Sequence, residues 1–125
     1  MNALIITDGT ELIGSIALRI EETLEGYKVK ICSADNFAGN DLLPADIFFL
    51  GCENPSPSSF AYLEEMLAHI NLASRKCGVF SVKEKSIKYL AGILKDSEAD
   101  CGEPLLFKDG EIKKAALKKW LNSIK

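Results

Sequence analysis

The sequence predicts a three-layer α/β fold, in which an open parallel sheet is covered by helices on both faces. Short apolar or β-branched runs alternate with segments of helical periodicity, which is the pattern of consecutive β-α units. The segment Asp46–Gly51 is apolar at successive positions from Ile47 onward, as expected of a strand that is buried on both sides. The 125 residues fit a single domain over 1–125.

The first half of the chain predicts three strands and one long helix. Asn2–Ile6 is the first strand, and the helix after it ends at Gly26. Lys28–Cys32 is the second strand, followed by a loop or short helical turn, and Asp46–Gly51 is the third. The inward face of the helix has apolar residues at i, i+3, i+4 and i+7: Leu12, Ile13, Ile16, Ala17, Ile20 and Leu24.

The second half predicts two more strands and three helices. Ser56 and Pro57 predict a helix start, as an N-cap followed by proline at the first helical position. Cys77–Val82 is the fourth strand, and a helix follows it. Leu105–Phe107 is the fifth strand, closed by a turn at residues 109–110. The last helix turns six apolar residues inward: Ile112, Ala116, Leu117, Trp120, Leu121 and Ile124.

These elements resemble the flavodoxin-like proteins over essentially the whole chain. The resemblance lies in the order of the elements, in the Asp46–Gly51 run after a leucine-rich connection, and in Gly102–Leu106 before the last helix. It implies the strand order 2-1-3-4-5. It also implies flavin mononucleotide (FMN) as the cofactor, at the carboxyl ends of the strands where the strand order reverses.

Composition excludes several classes of partner. The net charge of −3 is mild, which argues against nucleic acid and against membrane surfaces as partners. The lysines of the last helix fit a solvated face. Met1 and Asn2 lead directly into the first strand without a basic or long apolar leader. We therefore expect a cytoplasmic protein.

The cysteine pattern predicts neither a metal site nor a disulfide. Cys32, Cys52, Cys77 and Cys101 are irregularly spaced without a Cys-x-x-Cys pair, and His69 is the only histidine. Cys32 and Cys77 lie in apolar runs and fit ordinary core thiols. Cys52 alone follows a strand where chemistry is expected, and burial as a small apolar side chain is the favoured interpretation.

In the predicted strand order, the loops after strands one, three and four meet at one edge of the sheet. Residues 7–11, 52–56 and 81–85 form these loops. The cofactor-binding residues predicted from them are Thr7, Asp8, Gly9, Thr10, Glu11, Cys52, Glu53, Asn54, Ser81, Val82 and Lys83.

The first loop supports two interpretations. Flavodoxins hold the FMN phosphate with a loop of the type Ser/Thr-x-Thr-Gly-x-Thr, and residues 7–12 read Thr-Asp-Gly-Thr-Glu-Leu. The hydroxyls and the glycine retain part of that chemistry. Asp8 and Glu11 would repel a phosphate. Their spacing is also that of a capping box, which predicts that the Asp8 carboxylate caps the helix in place of an anion.

The other two loops lack the aromatic side chains with which flavodoxins commonly sandwich the flavin ring. Residues 52–56 and 81–85 contain none, Phe60 suits the core, and Trp120 belongs to the last helix. Asn54 and the loop backbones remain as hydrogen-bond partners for a flavin.

Enzymes of similar folds are disfavoured. A phosphorylation receiver needs an aspartate where residues 50–52 read Leu-Gly-Cys, and a low-molecular-weight phosphatase needs Cys-x5-Arg after the first strand. His69 is poorly placed for a hydrolase triad. Two hypotheses remain: an FMN-binding electron carrier with a redox partner protein, and a flavin-free relative that serves as a binding or regulatory module.

Overall fold

A computed structural model describes residues 1–107 and 113–124 of the chain. Strands and helices alternate within this part. The strands are β1 (Asn2–Thr7), β2 (Lys28–Ser33), β3 (Ile47–Gly51), β4 (Lys76–Ser81), β5 (Asp100–Cys101) and β6 (Leu105–Leu106). The helices are α1 (Glu11–Thr23), α2 (Gly39–Leu42), α3 (Ala61–His69), α4 (Glu84–Leu94) and α5 (Lys114–Ile124).

The sheet has the order β2-β1-β3-β4-β5, with β6 also paired to β4. All of these strand pairs are parallel. In the centre, Ile5 of β1 is in register with Ile31 of β2 and Phe49 of β3. The predicted fold class and the predicted strand order 2-1-3-4-5 are confirmed.

Two apolar layers cover the sheet, one on each face. Successive strand residues point to opposite faces, and every residue of β3 is buried. Phe48 and Leu50 pack toward α3 and α4. Ile47 and Phe49 pack toward α1 and α5. The continuous apolar run of β3 therefore reflects burial on both faces.

The fifth predicted strand differs from Leu105–Phe107. It forms two short pieces, β5 and β6, which both pair with β4. Pro104 interrupts the ladder between them because proline has no backbone N–H. At Gly102 a Cβ atom would lie 2.9 Å from Cγ1 of Ile124, so α5 packs directly against the backbone of this break.

The predicted start of the third helix is wrong. Ser56 has a left-handed φ of 50°, and Pro57 precedes a 3-10 turn at Ser58–Phe60. Regular α-helix begins at Ala61. The Ser59 hydroxyl donates to the Asp8 carbonyl at 3.1 Å, so a contact with a distant loop holds this turn.

Some predictions lie outside the described residues, namely the turn at 109–110 and the inward position of Ile112. Over 1–107 and 113–124, none of the helices combines the length and apolar character needed to cross a bilayer.

Candidate functional site

Three loops meet at the carboxyl edge of the sheet. They are the β1 loop (residues 8–10), the β3 loop (52–57) and the β4 loop (82–83), each named after the strand before it. Together with the starts of α1 and α4 they form a continuous edge, which we call the rim. β1 and β3 are neighbours, and β2 lies on the other side of β1. The rim therefore lies where the strand order reverses, the usual ligand position in such sheets.

The Asp8 carboxylate joins the β1 loop to the β3 loop. Its Oδ1 accepts hydrogen bonds from the Thr10 backbone N–H at 3.0 Å and from the Thr10 hydroxyl at 2.7 Å. Its Oδ2 accepts from the Glu53 backbone N–H at 2.7 Å. Both carboxylate oxygens are thus satisfied by the protein itself.

The predicted capping box is therefore wrong. The N-cap of α1 is Thr10, and its side chain makes no capping hydrogen bond. Asp8 lies two residues before the N-cap, so its carboxylate meets the Thr10 N–H instead of the first turn of α1. Gly9, at φ 84°, makes the turn that directs Asp8 toward the β3 loop. The first N–H groups of α1, which lack helical partners, have no side-chain cap from the described residues.

Three side chains join the β3 loop to β4 and to α4. The Ser81 hydroxyl donates to the Cys52 carbonyl. The Ser86 hydroxyl donates to the Glu53 carbonyl at 2.8 Å. The Lys83 ammonium donates to Asn54 Oδ1. The loops are consequently held in position before any ligand binds.

An open groove of about 640 Å³ lies between the β3 loop and the start of α4. This volume is within the range of small-molecule sites. Val82 was predicted as a site residue, but it does not line this groove; it is half-buried and packs toward the core. The groove is lined by Asn54, Pro55, Lys83, Glu84 and Lys85, none of them aromatic.

The fold of this chain matches solved flavodoxin structures across its whole length. A short-chain flavodoxin associated with a bacterial microcompartment has a TM-score of 0.84 at 14% identity, over 99% of this chain and 96% of that one. The flavodoxin of Streptococcus pneumoniae TIGR4 has a TM-score of 0.80 at 16% identity, over 98% and 96%. Flavodoxin 2 of Bacillus cereus has a TM-score of 0.80 at 17% identity, over 99% and 97%.

This chain has the flavodoxin-like fold. At these sequence identities the similarity shows the fold alone. No family model matches the sequence, and no curated protein matches it.

Within this flavodoxin-like fold, Cys52 is a core residue of the rim. Its side chain is 0% exposed. Burial and the nearby Asp8 charge raise its pKa to about 12. The carboxylate that affects this thiol is Asp8 and not the adjacent Glu53. A neutral, buried thiol is a poor nucleophile, so the structure places Cys52 among the packing residues.

Sequence reasoning missed two residues that hold the rim loops, Ser59 beside the β3 loop and Ser86 in the first turn of α4. Ser86 is 0% exposed, and it occupies an inward position one residue before Ile87. The sequence signal for Ser86 was a polar side chain on the apolar face of a helix, which indicates a buried hydrogen bond. Ser59 lies in the Ser-Pro-Ser-Ser run at 56–59. Its role depends on the approach of a loop 51 residues away, which no local pattern indicates.

A second pocket of about 220 Å³ lies at the opposite, amino edge of β1 and β2. Two of its charged residues neutralise each other, because Lys30 Nζ contacts Asp41 Oδ1 at 2.7 Å. This pairing raises the pKa of Lys30 and lowers that of Asp41. The pocket therefore offers no unpaired charge from this pair to a ligand. His69, exposed at the end of α3, has no part in the rim.

Proposed function

We propose that this chain is a small electron carrier that binds FMN at the rim. One observation carries the proposal. The amino end of α1 has no side-chain cap from the described residues, and it lies at the reversal of strand order in a fold shared with flavodoxins. An open groove for a planar ring adjoins the next two loops.

The phosphate would lie over the first turn of α1. The backbone N–H groups of Glu11 and Leu12 are at the positive end of the helix dipole and suit an anion. The Glu11 side chain is exposed and is free to turn toward solvent. Asp8 cannot turn away, because both of its oxygens are engaged. Its charge lowers the expected affinity for phosphate.

The ring would lie in the groove between the β3 and β4 loops. The Asn54 amide and the loop backbone are the hydrogen-bond partners available to its polar edge. Bound FMN supplies reversible electron transfer, while the chain binds it, orients it and limits its contact with water. The residues can hold the cofactor. We expect weaker phosphate binding than in a loop without Asp8, and no aromatic stacking from the residues that line the groove.

An electron carrier also needs a protein that donates or accepts the electrons. We propose that a redox partner protein docks over the exposed part of the rim, around Asn54, Pro55 and Lys85. Nothing in the proposed role requires a catalytic residue. The chain would act as a carrier, not as a catalyst.

Titration of the purified chain with FMN and with riboflavin tests the proposal. We expect quenching of flavin fluorescence, with tighter binding of FMN than of riboflavin because only FMN carries the phosphate. Asp8→Asn removes one negative charge near the phosphate. At a separation of a few ångströms near the surface, the lost charge should raise the preference for FMN over riboflavin by about threefold to tenfold, whereas any loosening of the loops affects both ligands.

Glu25→Gln is the matched control. Glu25 is exposed and lies beyond the opposite end of α1. Its substitution therefore makes the same change in net charge as Asp8→Asn, but far from the rim. It should not alter FMN binding. Absence of quenching by FMN in both the native chain and Asp8→Asn would rule out the flavin proposal.

A second candidate function is a flavin-free binding or regulatory module. The hydrogen bonds within the rim favour this candidate, because the Asp8 carboxylate already accepts from backbone N–H groups of the β1 and β3 loops without a ligand. This candidate predicts a colourless protein that does not quench FMN or riboflavin.

A further inference from the structure

Cys77 and Cys101 lie directly opposite each other in the sheet. Cys77 of β4 is in register with Cys101 of β5, in a parallel pair. Register partners in neighbouring strands point to the same face of the sheet. Neighbouring strands are about 4.7–4.9 Å apart, and a disulfide needs Cα atoms about 4.4–6.8 Å apart. The usual spacing of paired strands thus falls within the Cα range that a disulfide needs.

The two thiols have different surroundings. Cys77 is fully buried, whereas Cys101 is exposed and borders a pocket of about 160 Å³ beside Lys95 and Gly102. A hydrogen bond from the Cys77 thiol lowers the pKa of Cys101. Burial raises the pKa of Cys77. Cys101 is accordingly the thiol that a solute can reach and that ionises first.

We propose that Cys77 and Cys101 are a reversible oxidation site, which a peroxide converts into a disulfide between β4 and β5. The Cys101 thiolate attacks one oxygen of hydrogen peroxide, forms a sulfenic acid and releases hydroxide, which takes up the thiol proton as water. The Cys77 sulfur then attacks the sulfenic sulfur. The S–S bond forms, the S–O bond breaks, and a second water leaves. Two electrons pass from the two thiols to the peroxide.

The location of the pair makes the bond accessible to reductants. β5 has two residues, both exposed, so a small dithiol can reach the Cys101 sulfur and reverse the reaction by exchange. Cys77 precedes Ser81, the last residue of β4 before the rim, by four residues, which is roughly 13 Å along a strand. The oxidation site is therefore separate from the groove proposed for FMN, and its test is independent of flavin binding.

Peroxide treatment of the reduced, folded full chain tests the site. After alkylation in denaturant without reductant, intact mass spectrometry should show two alkyl groups on the oxidised chain and four on the reduced chain. Trypsin digestion should yield one linked species that contains peptides 77–83 and 96–108. The bond restricts the unfolded chain, so the thermal midpoint should rise by roughly 10 °C. Added dithiothreitol should return both the mass and the midpoint to their initial values.

Three variants make the result specific. Cys101→Ser should lose the linked species and the rise in midpoint. Cys77→Ala keeps the accessible thiol, and its sulfenic acid should accumulate and be trapped by dimedone. Cys32→Ser removes a half-buried thiol elsewhere and should behave like the native chain. The proposal fails if the native chain links different peptides, forms only intermolecular dimers through Cys101, or oxidises Cys101 without linkage to Cys77.

Discussion

Asp8 is one side chain on which two loops depend. It accepts three hydrogen bonds, two from Thr10 and one from the Glu53 backbone 45 residues away. The same residue reduces the attraction of the rim for phosphate. Structural bracing and anion binding therefore compete at this position. The bracing explains how a carboxylate can remain beside a helix N-terminus without capping it.

The bracing role predicts a loss of stability in Asp8→Asn. The Asn oxygen can still accept from Thr10, but its amide nitrogen would face the Glu53 N–H, donor against donor. Leaving this part-buried donor unsatisfied should cost about 1–3 kcal/mol of unfolding free energy, measured by urea denaturation. Glu25→Gln should change stability by less than about 0.5 kcal/mol. Equal stability of Asp8→Asn and the native chain would contradict the bracing.

The raised pKa of Cys52 predicts that the folded protein loses stability at alkaline pH. Its folded pKa is about 12, above its ordinary value of 9.0. Between these values the folded thiol keeps a proton that the unfolded thiol loses, so rising pH favours unfolding. The contribution is constant below pH 9 and decreases from pH 9 toward 12, with a slope of up to about 1.4 kcal/mol per pH unit.

Urea midpoints between pH 8 and 11 measure this effect. Cys52→Ala should show a shallower decline than the native chain. Cys101→Ser should keep the full decline that Cys52 causes, because hydrogen bonding lowers the pKa of Cys101 instead of raising it. A Cys52→Ala chain with the native slope would show that this thiol ionises freely when folded.

Among the elements, β4 and α5 pack closely against each other at a glycine of β4. A Cβ atom at Gly78 of β4 would lie 2.7 Å from Cδ1 of Ile124 and 2.9 Å from the Trp120 ring. Such distances force a neighbour to move. By contrast, a Cβ atom at Gly14 of α1 would meet nothing within 4 Å. A side chain is therefore sterically excluded at Gly78, whereas Gly14 has room for one.

Alanine substitutions should consequently have opposite signs at these positions. Gly78→Ala should lower the free energy of unfolding by about 1–3 kcal/mol through overpacking. Gly14→Ala should raise it by about 0.5–1 kcal/mol, because alanine favours the helix. Chemical denaturation of the two variants provides the comparison. A stabilising Gly78→Ala would show that α5 does not pack against β4 at this distance.

Across the whole molecule, Trp120 connects the last helix to the centre of the sheet. Its ring packs against Phe49 of β3 and Phe80 of β4. Its indole N–H donates to the Glu103 carbonyl at 2.7 Å, in the break between β5 and β6. The C-terminal helix is thus attached to strands from both halves of the sequence, which is the arrangement of one cooperative core.

This attachment predicts a single unfolding transition. Trp120 is the only tryptophan, so its fluorescence reports the docking of α5, while far-UV circular dichroism reports all helices. The two probes should give the same urea midpoint, as two-state unfolding of one domain requires. A fluorescence midpoint clearly below that of circular dichroism would mean that α5 undocks independently.

Local patterns were enough to predict the fold class, most of the elements and the position of the rim, because these depend on local periodicity and on general rules of parallel sheets. The apolar run at 47–51 and the helical spacing in α1 each indicate burial within a short stretch of sequence. Loops at carboxyl ends of neighbouring strands must then meet. The candidate site was predictable to the level of loops for this reason.

The partners of these residues follow from the three-dimensional packing and not from local sequence patterns. Asp8 had the spacing of a cap, but the Glu53 N–H competes for its carboxylate once β1 and β3 are in register. Cys77 and Cys101 are 24 residues apart in sequence and become neighbours only through the pairing of β4 with β5. Hydrogen bonds and thiol contacts act over a few ångströms. Their partners are set by strand register and helix packing, which involve residues far apart in the chain.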